Sequence, residues 1–339
     1  MSTADLDSSD HELVAIYRDA ASDLVAIVAV HDRALGPAIG GCRMLPYATL
    51  EHALTDVLRL SRGMTYKCAI AGIPYGGGKA VIIGDPLTAK NPALLHAFGD
   101  FVESLGGRYI TSFDSGTTLD DIRVIGERTQ YSAGYADGYG NASASTAIGV
   151  FHCMARAWRE VGGTDLRGVR VGIQGLGNVG ARLAGLLGEA GAVLTVADTD
   201  PARDAQLFGA VVAADEILSA DIDILAPCAL GAILNERSIP TIRARVIAGG
   251  ANNQLAANED ADLLRASGIL YCPDYLTNAG GIVELHHQRM GSTPEALAAH
   301  LATLADTLGE VIVTAAQCGK STAAVADHMA EARFHGARG

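Results

Sequence analysis

The stretch "RVGIQGLGNVGARLAGLLGEAGAVLTVADTD", Arg170 to Asp200, joins a strand pattern, a glycine-punctuated turn, a helical pattern and a second strand pattern. Gly175, Gly177 and Gly180 keep the spacing G-x-G-x-x-G, which alone is a weak signal. Its flanks make it specific. "VRVGI" reads as a strand, "GARLAGLLGEAG" as a helix and "AVLTVA" as the next strand, and Asp198 closes that strand 23 residues beyond Gly175. Each piece has a physical task in holding a dinucleotide. Gly175 permits the tight turn, Gly177 lets backbone amides approach a pyrophosphate, and Gly180 lets helix and strand pack closely, with the helix N-terminus facing the negative charge. Asp198 can bind the ribose hydroxyls and repels a 2′-phosphate, so the expected cofactor is NAD rather than NADP. Leu176, Asn178 and Val179 complete the turn and belong to the same expected site.

Downstream, strand patterns recur in "DIDILAP", "ARVIAGG" and "GILYCP", with helical segments between some of them. That alternation indicates a mostly parallel, Rossmann-type sheet. Asn252 in "IAGGANNQL" and Asn278 follow strand-like segments, where open α/β sheets bind ligands. Either asparagine could hold a carboxylate, a nicotinamide amide or only its own turn. Leu297, Leu301, Leu304, Leu308 and Val311 line one face of a helix after a Thr293–Pro294 start and read as core packing; a second helix begins at Ser321.

Upstream, "YADGYGNASAST" (135–146) has linker composition and precedes the helix "AIGVFHCMARAWREVG". The first third is an α/β unit of its own, with strands at 24–31 and 80–83. Its helices are read in "TLEHALTDVLRLSRGMTYKCAIAG" and "NPALLHAFGDFVESLGG". At 339 residues the chain exceeds the ~250–300 at which single cores tend to split. The expected fold is therefore α/β in two domains with a cleft between them. Residues 1–138 would form the substrate-binding and catalytic domain, and 139–304 the nucleotide domain. The C-terminal helices, about 305–339, could return to the first domain.

A net charge of −13 argues against nucleic acid and anionic membranes, which need clustered Lys and Arg. The opening "MSTADLDSSDHEL" is polar and acidic, unlike a signal or transit peptide. No run of about 18 uninterrupted apolar residues reads as a membrane span. The six cysteines are scattered without a CxxC pair, as expected for thiols in a reduced, cytoplasmic setting. Glu284 and His287 stand three apart in "ELHHQ", but no second pair completes a metal centre, so no metal is expected.

With a nucleotide unit in the second half, substrate chemistry falls to the first. Lys67 and Lys79, twelve apart in "GMTYKCAIAGIPYGGGKAVI", are the only lysines before residue 85. A phosphate loop ending at Gly78–Lys79 fails, because its first glycine position falls on Ile73 and its hydroxyl position on Ala80. In apolar surroundings, desolvation and a like charge both lower an ammonium pKa, which suits a general base. The three glycines before Lys79 would let backbone and substrate come close. Asp114, just after the strand pattern "GRYIT", is a candidate partner for an amine, whereas Asp120 and Asp121 look like helix-start acids.

The blocks "GPAIGGCRM", "GMTYKCAIAGIPYGGGKAVI", "IQGLGNVG", "APCALGAILN", "AGGANNQL" and "PDYLTNAGGIV" resemble, in order, those of the glutamate/leucine/phenylalanine/valine dehydrogenases, over roughly residues 20–335. The resemblance implies that Lys79 is the catalytic acid/base, Asp114 binds the substrate amine, and Lys67 with Asn252 grips the carboxylate. It also implies that Gly40 and Gly41 line the substrate pocket, that Thr146 contacts the nicotinamide amide, and that Cys228, Ala229 and Asn278 join the cofactor site. The reaction implied is reversible oxidative deamination to a 2-oxo acid, ammonia and NADH, in a homo-oligomer built through residues 1–138, which would thus also be the oligomerisation domain. Hydride would leave the α-carbon for nicotinamide C4, and Lys79 would then activate the water that attacks the iminium carbon.

The pocket walls implied are Ile39, Ser112, Ile282 and Leu285. Glutamate enzymes of the family carry lysine where Ile39 stands and serine where Leu285 stands, and an apolar pocket cannot satisfy a carboxylate. Leucine, valine or isoleucine is favoured; a phenylalanine or tryptophan dehydrogenase is the alternative. Phe113, Glu284 and the proline-free "NASAST" depart from the family pattern and bear on side-chain selection. An inactive NAD-binding regulatory protein would predict broken chemistry, yet Lys67, Lys79, Asp114 and Asn252 are all present. A short-chain or 2-hydroxy-acid dehydrogenase would leave the lysine pair without a role.

Overall fold

The computed structural model describes residues 10–134, 142–203, 205–229 and 231–337. The start of the acidic N-terminus, residues 135–141 of the linker-like stretch with the expected boundary at 138/139, and Leu230 of "APCALG" lie outside the described residues. The chain divides into two compact units. One comprises Met1–Tyr139, Gln288–Met290 and Ala330–Gly339; the other comprises Gly140–His287 and Gly291–Met329.

The first unit holds β1 (Leu13–Asp19), β2 (Leu24–Asp32), β3 (Ala38–Leu45), β4 (Gly76–Ile83) and β5 (Tyr109–Phe113) in the sheet order β1-β2-β4-β3-β5. β2 runs antiparallel to β1 and β4, while β3 runs parallel to β4 and β5. Helix α1 (Leu50–Ile70), capped by Thr49, lays Ala53, Val57 and Leu58 against Ile27, Ala29 and Val81 on one face. Helices α2 (Pro92–Ser104) and α3 (Leu119–Gly126) cover the other, packing Leu94, Phe98, Ile122 and Ile125 with Val28, Cys42, Ala80 and Ile82. Thr118 and Asp121 form a capping box that starts α3. Strand residues alternate between faces. Lys79, opposite Ala29 and two residues before Val81, therefore sits on the α1 face of the sheet.

One expectation needs correction. The strand read at 80–83 begins at Gly76, so the three glycines lie inside it rather than in a loop ahead of it. A Cβ at Gly76 would overlap the Asp32 carbonyl oxygen, and one at Gly77 the Thr65 backbone nitrogen. At Gly78 it would lie 2.7 Å from Cδ2 of Tyr109. The glycines let β2, α1 and Tyr109 close on β4; the space they free is filled by protein, not left for a substrate.

The second unit starts with α4 (Ala142–Glu160), so the last residues of the linker-like stretch are helical. Then follow β6 (Arg170–Gln174), α5 (Asn178–Glu189), β7 (Val193–Ala197), β8 (Ala210–Val211), β9 (Ile224–Pro227), β10 (Val246–Ile247), α6 (Asp260–Ala266), β11 (Leu270–Tyr271), α7 (Asp274–Thr277), α8 (Gly280–Met290), α9 (Pro294–Cys318) and α10 (Thr322–Gly336). All pairings are parallel, in the order β11-β10-β9-β6-β7-β8. This is the doubly wound arrangement, and the direction of winding reverses between β6 and β9. Among the described residues, α9 is the one helix long and apolar enough to cross a membrane by length and composition. Its Leu301, Leu304, Leu308 and Val311 are buried, and α9 packs on α4.

Candidate active site

In the second unit, the turn after β6 meets the turn after β9 at the switch point. Gly175 has φ +93°, a region that favours glycine, and a Cβ there would lie 2.6 Å from the Ala229 Cβ. A Cβ on Gly180 would overlap the Gly175 carbonyl oxygen and approach Cys228, so the third glycine seats α5 on the turn. Gly177 is the N-cap of α5 without a side-chain cap, and open space faces its Cβ position. The first-turn N–H groups are thus left for an anion. Asn178, the first residue of α5, is exposed, and Val179 packs beside Gly250.

Asp198, directly after β7, accepts the Leu176 N–H at 2.6 Å and the Asp200 N–H at 2.8 Å. Partial burial opposes its ionisation, yet these backbone donors and Arg203 outweigh it and hold the carboxyl below its ordinary range. Asp198 therefore also ties the glycine turn to β7, a role the sequence reading missed. Burial pushes the Cys228 thiol up to about 11, so it is an uncharged wall group.

Thr146 in α4 donates to the Ala142 carbonyl at 2.7 Å, and the start of α8 packs against it at Gly280–Gly281. The Asn278 amide donates to the Asn252 side chain at 2.8 Å, while its own Oδ1 is buried without a hydrogen-bond partner. An open, uncapped helix start, a carboxylate after the second strand and an unsatisfied buried amide oxygen fit a dinucleotide. Ile282, Glu284 and Leu285 are buried on α8, the first and last one turn apart.

In the first unit, Lys79 is 6% exposed, and its Nζ stands 2.7 Å from Asp114 Oδ2. The same oxygen accepts Arg43 Nε at 2.9 Å. Burial pushes the Asp114 carboxyl up, but the Lys79 and Arg43 charges outweigh it and hold it well below the usual carboxylate range. Arg43 also donates to Asp56 Oδ2 at 2.9 Å, which the Tyr47 hydroxyl meets at 2.7 Å. Arg43, Asp56 and Tyr47 were not anticipated from the sequence; the one signal was a charged residue inside the run "AIGGCRML".

Ile39, Gly40 and Gly41 lie on β3, with Gly41 paired to Ser112 of β5. Side chains are excluded at both glycines, since a Cβ on Gly40 would overlap the Gly78 carbonyl and one on Gly41 would lie 2.9 Å from the Asp114 Cβ. Ile39 is fully buried, and Ser112 is 2% exposed with its hydroxyl lacking a hydrogen-bond partner. Lys67 is half-buried in the last turn of α1. Of the residues expected to touch substrate, Asn252, Ile282 and Leu285 belong to the second unit and the others to the first.

Residues 14–131 match the family model for the Glu/Leu/Phe/Val dehydrogenase dimerisation domain, and 138–202 and 204–333 match that for Glutamate/Leucine/Phenylalanine/Valine dehydrogenase. Leucine dehydrogenase of Geobacillus stearothermophilus is 44% identical over 337 residues, 97% of this chain and 92% of that one. Phenylalanine dehydrogenase of Bacillus thermotolerans is 43% identical over 344 residues, 98% and 90% of the two chains. The crystal structure of L-tryptophan dehydrogenase from Nostoc punctiforme superposes with a TM-score of 0.85 at 42% identity, covering 97% of each chain. The chain belongs to the Glu/Leu/Phe/Val dehydrogenase family and is an amino-acid dehydrogenase, an oxidoreductase.

Proposed function

We propose that the protein catalyses the reversible, NAD-dependent oxidative deamination of an apolar L-amino acid, with leucine, valine or isoleucine favoured, to the 2-oxo acid, ammonia and NADH. The observation that carries it is the ion pair between buried Lys79 and half-buried Asp114, beside the Ile27, Ala29 and Val81 cluster of the sheet. Lys79 and Asp114 hold the substrate amine, and Lys67 with Asn252 holds its carboxylate. NAD, when bound, supplies the hydride acceptor; Gly175–Gly180, Asp198, Thr146, Cys228, Ala229 and Asn278 hold it. Lys79 takes a proton from the water that adds to the substrate's iminium carbon, and returns one to the departing ammonia. Asp198 supports NAD over NADP through its negative charge.

Fully buried Ile39 supports an apolar side chain over glutamate. An aromatic substrate is the second reading, favoured by Ser112: an indole N–H would satisfy its buried, unpartnered hydroxyl. We place the enzyme in the cytoplasm as a homo-oligomer, supported by its acidic charge and by the dimerisation-domain match.

The test is reduction of NAD and of NADP by the purified protein with L-leucine, L-valine, L-isoleucine, L-phenylalanine, L-tryptophan and L-glutamate. Fastest NADH formation with an aliphatic residue is expected, and little with glutamate. A phenylalanine or tryptophan optimum would move the assignment to the aromatic reading, and a glutamate optimum would overturn both.

A further inference from the structure

Arg43 is the charged residue nearest the reacting pair for which the chemistry above has no task. Its Nε shares Asp114 Oδ2 with Lys79 Nζ, at 2.9 and 2.7 Å. Its Nη1 reaches Asp56 on α1 at 2.9 Å, so one guanidinium spans two carboxylates. Asp56 is itself shared, with the Tyr47 hydroxyl on Oδ2 at 2.7 Å and Arg59 on Oδ1 at 3.3 Å. Arg43 is therefore held from both sides, its side chain 20% exposed, opposite Val81 in the β3–β4 register.

We propose that Arg43 is a positioning residue that keeps Asp114 ionised and fixed throughout turnover, so that Lys79 can give up its proton without stranding a half-buried carboxylate. The inference rests on the assignment of Lys79 as the acid/base. A guanidinium keeps its charge through the working pH range. With Lys79 protonated, Lys79, Asp114 and Arg43 together carry one positive charge; when the proton leaves, a neutral Asp114–Arg43 pair remains. Without Arg43 the same step ends on a carboxylate with no cation beside it, which is costly where water is scarce. Lys79 would then hold its proton to higher pH.

The other groups around the pair do not supply this compensation. Asp56 is an anion, and Arg59 reaches Asp56 rather than Asp114. Asp121 is engaged by Lys90. The Cys42 thiol is kept protonated by burial. Lys67, on α1, is committed to substrate under the same assignment. The phenol of Tyr47 is uncharged and donates to Asp56.

The experiment is the pH dependence of kcat/KM for deamination of the preferred amino acid, in the full-length protein and in R43M, R43Q and R43K. The acidic limb of R43M and R43Q is expected to move up by about one pH unit or more, with rate recovered on the alkaline side. R43K should fall between, because an ammonium cannot span both carboxylates as the fork does. R43Q keeps a hydrogen bond and carries the test should R43M fail to fold. A purely structural role would depress the rate at every pH and leave the limb where it is; that outcome overturns the proposal. An inactive K79A beside an unmoved R43Q limb removes only the role of Arg43, whereas an active K79A removes the assignment on which it rests.

Discussion

Replacing Lys79 with alanine is expected to lower turnover by at least about 10³-fold while NAD binding stays near its original strength, since a positioned acid/base alone contributes ~10²–10⁴-fold. The same group also binds the amine, which adds to the loss. The fold should survive the change. Arg43 remains on Asp114 Oδ2, so the carboxylate keeps a cation after the ammonium is gone. Steady-state NADH formation, with NAD affinity measured separately by calorimetry, checks both halves. Comparable turnover in K79A would contradict the assigned role.

Asp114→Ala is expected to be the more damaging change, because it removes activity and stability together. Lys79 would be left as a buried cation with no carboxylate, and Arg43 would lose one of its two. A fully buried pair broken in this way costs about 3–5 kcal/mol, and the 24% exposure of Asp114 puts this pair toward or below the lower end. Urea unfolding should show D114A well below K79A in midpoint, with both inactive. The pH dependence follows from the depressed Asp114 carboxyl. Its native value lies below the unfolded one, so its stabilisation is complete above about pH 4 and is lost as pH falls through the native value. D114A should lack that share of the acid destabilisation. Equal midpoints for K79A and D114A would contradict the picture of Arg43 as a standby counter-ion.

The glycine turn, Asp198 and the parallel sheet were legible because their signals are local: a strand, three spaced glycines and a helix within about thirty residues. The family was legible from its ordered blocks, and its model matches bear this out. Gly76–Gly78 misled for the opposite reason. Their meaning lies in Asp32, Thr65 and Tyr109, which are distant in sequence and invisible to spacing. Strand β3 was hidden by Gly40 and Gly41, residues with poor strand propensity kept by close approaches to Gly78 and Asp114. Arg43 escaped because Asp114 lies 71 residues further on. The two-residue strands β10 and β11 carry too little pattern to fix their bounds.

The most direct measurement of the central claim is a crystal structure of the protein with NADH and a 2-oxo acid analogue of leucine. The Lys79 ammonium and the Asp114 carboxylate are predicted to bracket the substituent on the ligand's α-carbon, with Lys67 at its carboxylate. A ligand seated elsewhere, with the Lys79–Asp114 pair intact and untouched, would contradict it.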